Sequence, residues 1–236
     1  MHLYLIRHGQ STNNHLLATT GAEDGRSSDP ELTETGQLQA ERLAEYLCAW
    51  KDSPDIFYHP LTHLYCSPMI RAVGTGLPTA RCLGLTLTAW KDLHEGGGLF
   101  LYNEETNEWL GQSGPDREAM AARFPDLVWP PEMGDGPWWN RSAEALEERV
   151  PRARRVLAEL LRRHPAEGED GVAFFTHAAF SNYFISALMG FEEKRAQAWF
   201  SLNNTGITVI ELRPEREPFI ACQNRLAHLP AELITG

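Results

Sequence analysis

The chain lacks long apolar runs and lacks a surplus of basic residues. No window holds 18 consecutive apolar residues, and the opening MHLYLIRHGQ shows no basic stretch followed by a long apolar one. Neither a membrane span nor a secretion signal is therefore expected. With 21 Lys and Arg against 32 Asp and Glu, the formal net charge is -11. Such a chain repels nucleic acid and anionic membranes, so we expect a cytoplasmic protein that binds neither.

Cysteine is scarce, and its spacing predicts no covalent framework. The chain has four cysteines, and none forms a C-x-x-C pair. This pattern indicates neither a zinc site nor a disulfide set, so we expect four reduced thiols. They are Cys48, Cys66, Cys82 and Cys222.

Histidine is more frequent, but its spacing does not favour a metal site. His59 and His63 are four residues apart, with Pro60 interrupting any helix between them. The pair His94-Glu95 has no second histidine four residues on, so it is not a zincin motif. We expect no metal ion.

Short apolar runs alternate with helical patterns along most of the chain. Strands are predicted near residues 3–6, 64–66, 85–90, 172–175 and 207–212, and helices near 35–50, 68–83, 153–161 and 180–189. Residues 15–31 are rich in Gly, Ser and Asp and are predicted to form a loop. Alternating strands and helices predict an α/β fold, a three-layer α/β/α sandwich with a mostly parallel central sheet.

Residues 96–141 differ in composition from the rest. They hold seven of the 19 Gly, five of the 15 Pro and four of the seven Trp. We interpret this stretch as an irregular cap-like insertion in a single domain covering residues 1–236. A short helix is predicted near Arg117 to Phe124.

Polar residues follow three of the predicted strands directly. His8, Ser67 and His177 each come just after an apolar run. In an open α/β sheet, ligand sites lie at the carboxyl ends of the strands. We therefore expect these residues to meet at one side of the sheet.

Five segments in order resemble the histidine phosphatase superfamily, also called phosphoglycerate mutase-like. They are LYLIRHGQSTNN from Leu3, LTETG from Leu32, SPMIRA from Ser67, FTH from Phe175 and NTG from Asn204. His94-Glu95 lies where the family carries an acidic residue after its third strand. The resemblance runs from residue 3 to about 212 and implies the fold of that family.

The resemblance implies a histidine acid-type phosphatase that needs no cofactor and acts on a small-molecule phosphate ester. His8 is the expected nucleophile, because a neutral imidazole is competent near pH 7. Arg7 and Arg71 supply forks that match phosphate oxygens. His177 is an expected donor to the same oxygens, and Glu95 is the expected general acid and then base.

Several further residues are candidates for contact with the substrate. Asn14 resembles the family's phosphate-binding asparagine, with Asn13 as a competitor, and the backbone N–H of Ala178 lies near a helix start. Gln10 stands where mutases carry an acidic residue. The last two candidates are Trp138 and Trp139. This pair either lines the substrate pocket or fastens the insertion to the core.

Two other functions remain open at this stage. A mutase of this superfamily carries a Lys- and Arg-containing insertion, whereas residues 96–141 hold no Lys, three Arg and eight Asp or Glu. This composition favours hydrolysis of a substrate with an apolar or aromatic portion. The third possibility is a non-catalytic module that binds a phosphorylated ligand. A homodimer is compatible with the sequence.

Overall fold

A computed structural model describes residues 1–21, 24–50, 59–103, 105–190 and 199–236. The strands in these ranges are His2–Arg7 (β1), His63–Cys66 (β2), Leu87–Ala89 (β3), Phe100–Asn103 (β4), Glu108–Gly111 (β5), Leu127–Val128 (β6), Gly171–Thr176 (β7), Ile207–Glu211 (β8) and Phe219–Arg225 (β9). The helices are Thr12–Thr20 (α1), Glu34–Ala49 (α2), Ile70–Leu83 (α3), Arg117–Arg123 (α4), Leu146–Arg163 (α5) and Ala178–Leu188 (α6).

A seven-stranded sheet forms the centre of the fold, in the order β6-β3-β2-β7-β1-β8-β9. Strands β1, β7, β2, β3 and β6 run parallel to their neighbours, and β8 and β9 complete the sheet in antiparallel fashion. The prediction of a mostly parallel α/β sheet is confirmed.

Side chains of the central strands alternate between two apolar cores. In β1, Leu3 and Leu5 pack with residues of α5 and α6, whereas Tyr4 and Ile6 pack with residues of α2 and α3. Successive strand residues point to opposite faces, so a strand buried on both sides has no polar alternation. This arrangement places a helical layer on each face of the sheet and confirms the three-layer architecture.

Helix α1 replaces part of the loop that was predicted for residues 15–31. Ser11 caps this helix, since its hydroxyl accepts the N–H of Asn14 while the Asn14 side chain accepts the N–H of Ser11. None of its residues is buried. The helix therefore carries no apolar periodicity, and its capping box was the available signal.

The segment 96–141 is more regular than its composition suggests. It contains the hairpin β4–β5, the predicted short helix α4, and β6, which joins the central sheet beside β3. The hairpin was missed because its side chains are partly or fully exposed, so they show no alternation of apolar and polar residues.

Two of the four cysteines form a disulfide, so the expectation of four reduced thiols is wrong. Cys48 lies near the end of α2 and bonds to Cys82 near the end of α3, 34 residues later. Cys66 and Cys222 are free. Because the two helices pack side by side, helix packing rather than local spacing brings the paired sulfurs together.

Candidate active site

Two histidines follow neighbouring strands of the sheet at the same level. β1 and β7 are parallel and in register, with Arg7 opposite Thr176. His8 and His177 are therefore the next residues of each strand, and their ring centroids lie 5.1 Å apart with the planes at 61°. The convergence predicted at the carboxyl ends of the strands is present in the structure.

The ring of His8 is buried and its tautomer follows from its neighbours. Nδ1 lies 2.7 Å from the carbonyl oxygen of Gly9, which can only accept, so Nδ1 carries the proton. Nε2 then has a lone pair, and it accepts the Nε–H of Arg71 at 3.2 Å. Burial, with Arg71 and Arg7 nearby, holds the pKa of His8 well below its usual value. The imidazole is neutral near pH 7.

The two arginines keep donors that no protein atom satisfies. Arg71 lies in the first turn of α3, and its Nη1 is 3.5 Å from Oδ1 of Asp29. Arg7 donates from Nη1 to the Leu202 carbonyl at 2.5 Å. Nη1 of Arg71 and Nε of Arg7 are buried without a hydrogen-bond partner. Because unpaired buried donors are costly, such a pair of cations indicates an anion site.

His177 is fully buried and also lacks partners. Neither of its ring nitrogens has a hydrogen bond within the protein. Burial lowers the pKa of His177 well below its usual value, and the charge of Arg71 lowers it further. A neutral imidazole still carries one N–H, so the ring can donate to an oxygen of a bound anion.

Glu95 lies beside the same arginines, at the start of α6. Its Oε1 accepts N–H groups from Gly96 at 2.8 Å and Phe180 at 2.9 Å, and its Oε2 accepts from Ala179 at 3.3 Å. Glu95 and Arg71 line one small hollow of about 70 Å³. The structure therefore brings the five predicted catalytic side chains to one place.

Two glycines of the recognised segments touch backbone to backbone. A Cβ on Gly9 would lie 2.5 Å from the carbonyl oxygen of Gly36, and a Cβ on Gly36 would lie 2.1 Å from that of Gln10. No side chain fits at either position. The approach docks the start of α2 against the loop that carries His8.

Three of the expected substrate contacts hold the surrounding loops. Oδ1 of Asn14 accepts from the Ser11 cap, Oε1 of Gln10 accepts the hydroxyl of Thr33 at 2.8 Å, and Asn13 bonds the backbone of Ser27. Their side chains therefore serve the scaffold in this structure. Ala178, the fourth expected contact, is the first residue of α6.

The packing of the tryptophan pair favours fastening of the insertion over lining of a substrate pocket. Trp138 and Trp139 are 0% and 2% exposed and pack in a small core with Met69 and Leu99. Only a glycine fits beside the Trp139 ring at position 98, where a Cβ would lie 2.2 Å from it. The pair fastens the insertion to the core, which was the alternative.

Two residues of the site escaped the sequence analysis. Asn204 donates from Nδ2 to the carbonyl oxygen of His8 at 2.9 Å, and it belongs to a recognised segment that had been given no role. Asp29 pairs with Arg71, and burial raises the pKa of Asp29 to about 6. An aspartate within a polar loop gives no signal in a single sequence.

Within the described ranges, one group of side chains has the composition of a metal site. His63, His164 and Asp170 offer ligand atoms within 4.8 Å of one another, at the amino ends of the strands. Both ring nitrogens of His164 are already hydrogen-bonded, to Asp170 and Tyr65. No helix in the same ranges is long and apolar enough to cross a membrane.

Residues 3–225 match the model of the histidine phosphatase superfamily (branch 1). The chain therefore belongs to this family, as its motifs predicted. No curated protein sequence matches it.

Solved structures share the fold over nearly their whole length. A mycobacterial glucosyl-3-phosphoglycerate phosphatase complexed with VO3 is 20% identical, with a TM-score of 0.60, covering 95% of this chain and 99% of that one. A phosphoserine phosphatase mutant from Entamoeba histolytica, in complex with phosphoserine, is 21% identical, with a TM-score of 0.61, and the match covers 97% of this chain and 99% of that one. YhfR of Bacillus stearothermophilus is 18% identical, with a TM-score of 0.61, and the match covers 96% of this chain and 98% of that one. At this identity the likeness shows the phosphoglycerate mutase-like fold.

Proposed function

We propose that the protein is a phosphoric monoester hydrolase that works through a phosphohistidine at His8. The observation that carries this proposal is the state of one ring. Nε2 of His8 carries no proton, its electron pair accepts the Nε–H of Arg71 at 3.2 Å, and the ring lies next to His177, a second buried histidine whose nitrogens lack partners. A nucleophile next to unsatisfied cationic donors is the arrangement that phosphoryl transfer requires.

The first step transfers the phosphoryl group to His8. The guanidinium of Arg71 moves its hydrogen bond from Nε2 of His8 to the phosphate oxygens. Arg7 and His177 donate to the same oxygens. The Nε2 electron pair attacks phosphorus in line, the P–O ester bond breaks, and Glu95 gives a proton to the leaving oxygen. To do so, its carboxyl group must release one of the backbone N–H groups that now hold it.

The second step returns the enzyme to its starting state. Glu95, now a carboxylate, takes a proton from a water molecule, whose oxygen attacks the phosphorus. The P–N bond breaks, inorganic phosphate leaves, and His8 is again neutral. Because the proton that Glu95 donated is recovered from water, the cycle returns the protein to its starting protonation state.

The proposed substrate is a small phosphate ester whose phosphoryl group binds beside Arg71 and Glu95, which line a hollow of about 70 Å³. This proposal is supported by one solved relative, the phosphoserine phosphatase from Entamoeba histolytica, whose structures contain phosphoserine in one case and 3-phosphoglyceric acid in another. The acid-type assignment is supported by the lowered pKa of His8. A nucleophile of low pKa stays neutral, and therefore active, below pH 6.5.

The test compares phosphate release by the wild type and by His8→Ala on a panel of small phosphate esters. Wild type denatured at alkaline pH, at which the P–N bond of phosphohistidine is stable, should yield a phosphorylated peptide containing His8, and His8→Ala should yield neither phosphate nor the peptide. His15→Ala, an exposed histidine, is the matched control. Isomer formation without phosphate release would instead assign a mutase, and binding without turnover or trapping would assign a binding module.

A cytoplasmic location and a homodimer stay predictions. Reduced thiols are expected in the cytosol, whereas Cys48 and Cys82 are bonded in the structure. Cell fractionation checks the location without depending on the redox state of these two residues.

A further inference from the structure

A second, larger hollow lies next to the proposed catalytic centre. Its volume is about 540 Å³, within the usual range for small-molecule sites. One wall is Asp24, Gly25 and Arg26, and the other belongs to the hairpin β4–β5. The hairpin contributes Phe100, Leu101, Tyr102 and Trp109.

This aromatic hollow adjoins the small hollow that is lined by Glu95 and Arg71. Arg26 and Phe100 line both. A phosphate ester whose phosphoryl group lies at Arg71 therefore has its alcohol portion directed toward the hairpin. The opposite wall is fixed to α1 through Asn13, which exchanges two hydrogen bonds with the backbone of Ser27.

The hairpin presents three aromatic rings on one face. Tyr102 lies opposite Trp109 in the ladder, and Phe100 is two residues before Tyr102, so their side chains share a face. The Trp109 ring lies 5.0 Å from Phe100 and 4.9 Å from Tyr102, centroid to centroid. Trp109 is nevertheless 52% exposed. Exposed clustered aromatics beside a site are typical of a binding surface.

The chemistry of the walls selects among alcohols. Among the seven residues lining the hollow, Asp24 and Arg26 carry charged side chains and Trp109 an indole N–H, and the Tyr102 hydroxyl already donates to Asn107. A polyhydroxylated sugar needs more partners than these. A planar ring needs only apolar faces, which Phe100 and Trp109 provide.

We propose that the substrate is a phosphate monoester whose alcohol carries an aromatic ring, and that this ring binds in the aromatic hollow. This inference rests on the proposed function. The composition of residues 96–141 suggested a substrate with an aromatic portion. In this inference the exposed hairpin binds that portion, and Trp138 and Trp139 do not.

The test uses two esters with the same leaving chemistry. Propyl phosphate and 3-phenylpropyl phosphate both release a primary alcohol, so a difference in kcat/KM reports binding of the ring. The phenyl ester should be preferred by about tenfold or more, as expected when a ring is buried against aromatic side chains. Glucose 6-phosphate serves as the polar competitor.

Variants connect the preference to the hairpin. Trp109→Ala should reduce the ratio of the two kcat/KM values at least about fivefold, mainly through KM of the phenyl ester. Tyr102→Ala is the second variant, in case Trp109→Ala folds poorly. Phe219→Ala removes a similarly exposed aromatic from β9 and should leave the ratio unchanged.

The outcomes separate this inference from the function on which it rests. If no ester releases phosphate, the proposed function fails. If phosphate is released but the ratio is near one, or is unaffected by both hairpin variants, only the aromatic hollow is overturned. Preference for glucose 6-phosphate over the phenyl ester would also overturn it.

Discussion

Two pairs of histidine rings lie at opposite ends of the parallel strands with closely similar geometry. His8 and His177 have ring centroids 5.1 Å apart and planes at 61°, and His63 and His164 have values of 4.4 Å and 61°. The pairs differ in what surrounds them. Both nitrogens of His177 are unpartnered, whereas both nitrogens of His164 are hydrogen-bonded.

The comparison teaches that the two pairs differ in unsatisfied hydrogen-bonding groups rather than in ring geometry, and at the carboxyl ends those groups belong to His177 and not to the hydrogen-bonded His8. Asp170 and Tyr65 satisfy His164 as part of the fold. At the carboxyl ends, Arg71 and Arg7 add donors that also lack partners. Because folded proteins rarely leave buried polar atoms unpaired, the unpaired set indicates where an external group binds.

Removing the nucleophile should have the largest effect. His8→Gln cannot form a phosphoimidazole, so kcat/KM for phosphate esters should fall by at least about 10⁴-fold. The melting temperature should stay the same or rise, because a buried ring between arginines is removed. Phosphate release and thermal unfolding check both expectations. Retention of more than a few per cent of the activity would contradict the assignment.

Replacing the guanidinium with an ammonium should have the next largest effect. Arg71→Lys keeps the positive charge but loses the fork, and we expect kcat/KM to fall about 10²- to 10³-fold. Arg81→Lys changes an exposed arginine on the same helix, paired to Asp126, and should remain within twofold. Equal rates for the two variants would mean that Arg71 is only structural.

The pair at the amino ends should respond in stability instead. His164→Ala leaves Tyr65 and Asp170 without their common partner and should lower the free energy of unfolding by about 2 kcal/mol. Its kcat/KM should stay within twofold of the wild type. Denaturant titration measures the first quantity. A variant that folds normally but loses activity would break the division between the two pairs.

The smallest effect is expected in the pH dependence. The pKa values of His8 and His177 are lowered by folding, so below pH 6.5 the unfolded chain binds more protons at these residues. Stability should therefore fall as the pH falls through that value, and less steeply in His8→Gln. The rate on phosphate esters should nevertheless persist at pH 5.5, since the His8 ring stays neutral. An activity lost with an apparent pKa near 6.5 would contradict this.

The sequence predicts those parts of the molecule that depend on neighbours along the chain. The buried strands β1 and β7 and the residues directly after them could be identified from apolar runs that end in a polar jump. His8 and His177 were found this way, whereas the roles of Arg7, Arg71 and Glu95 were implied by the resemblance of the ordered motifs to the family. Because β1 and β7 are parallel and end at the same level, the residues that follow them lie side by side.

The remaining features depend on contacts between distant residues. Cys48 and Cys82 meet only because α2 and α3 pack side by side, and Asp29 reaches Arg71 from a loop without a distinctive pattern. The number of tryptophans in the insertion did not indicate which of them are buried. Trp138 became core, and Trp109 stayed at the surface. Composition cannot separate these two outcomes.

The order of the strands has a consequence for synthesis of the chain. β7 lies between β2 and β1, and among the described strands β1 pairs only with β7 and β8. A nascent polypeptide that ends before Gly171 therefore lacks β7, the strand that connects β1 to β2 in the sheet. The ribosome must translate most of the gene before the phosphate site can assemble, and premature termination should yield chains without even partial turnover.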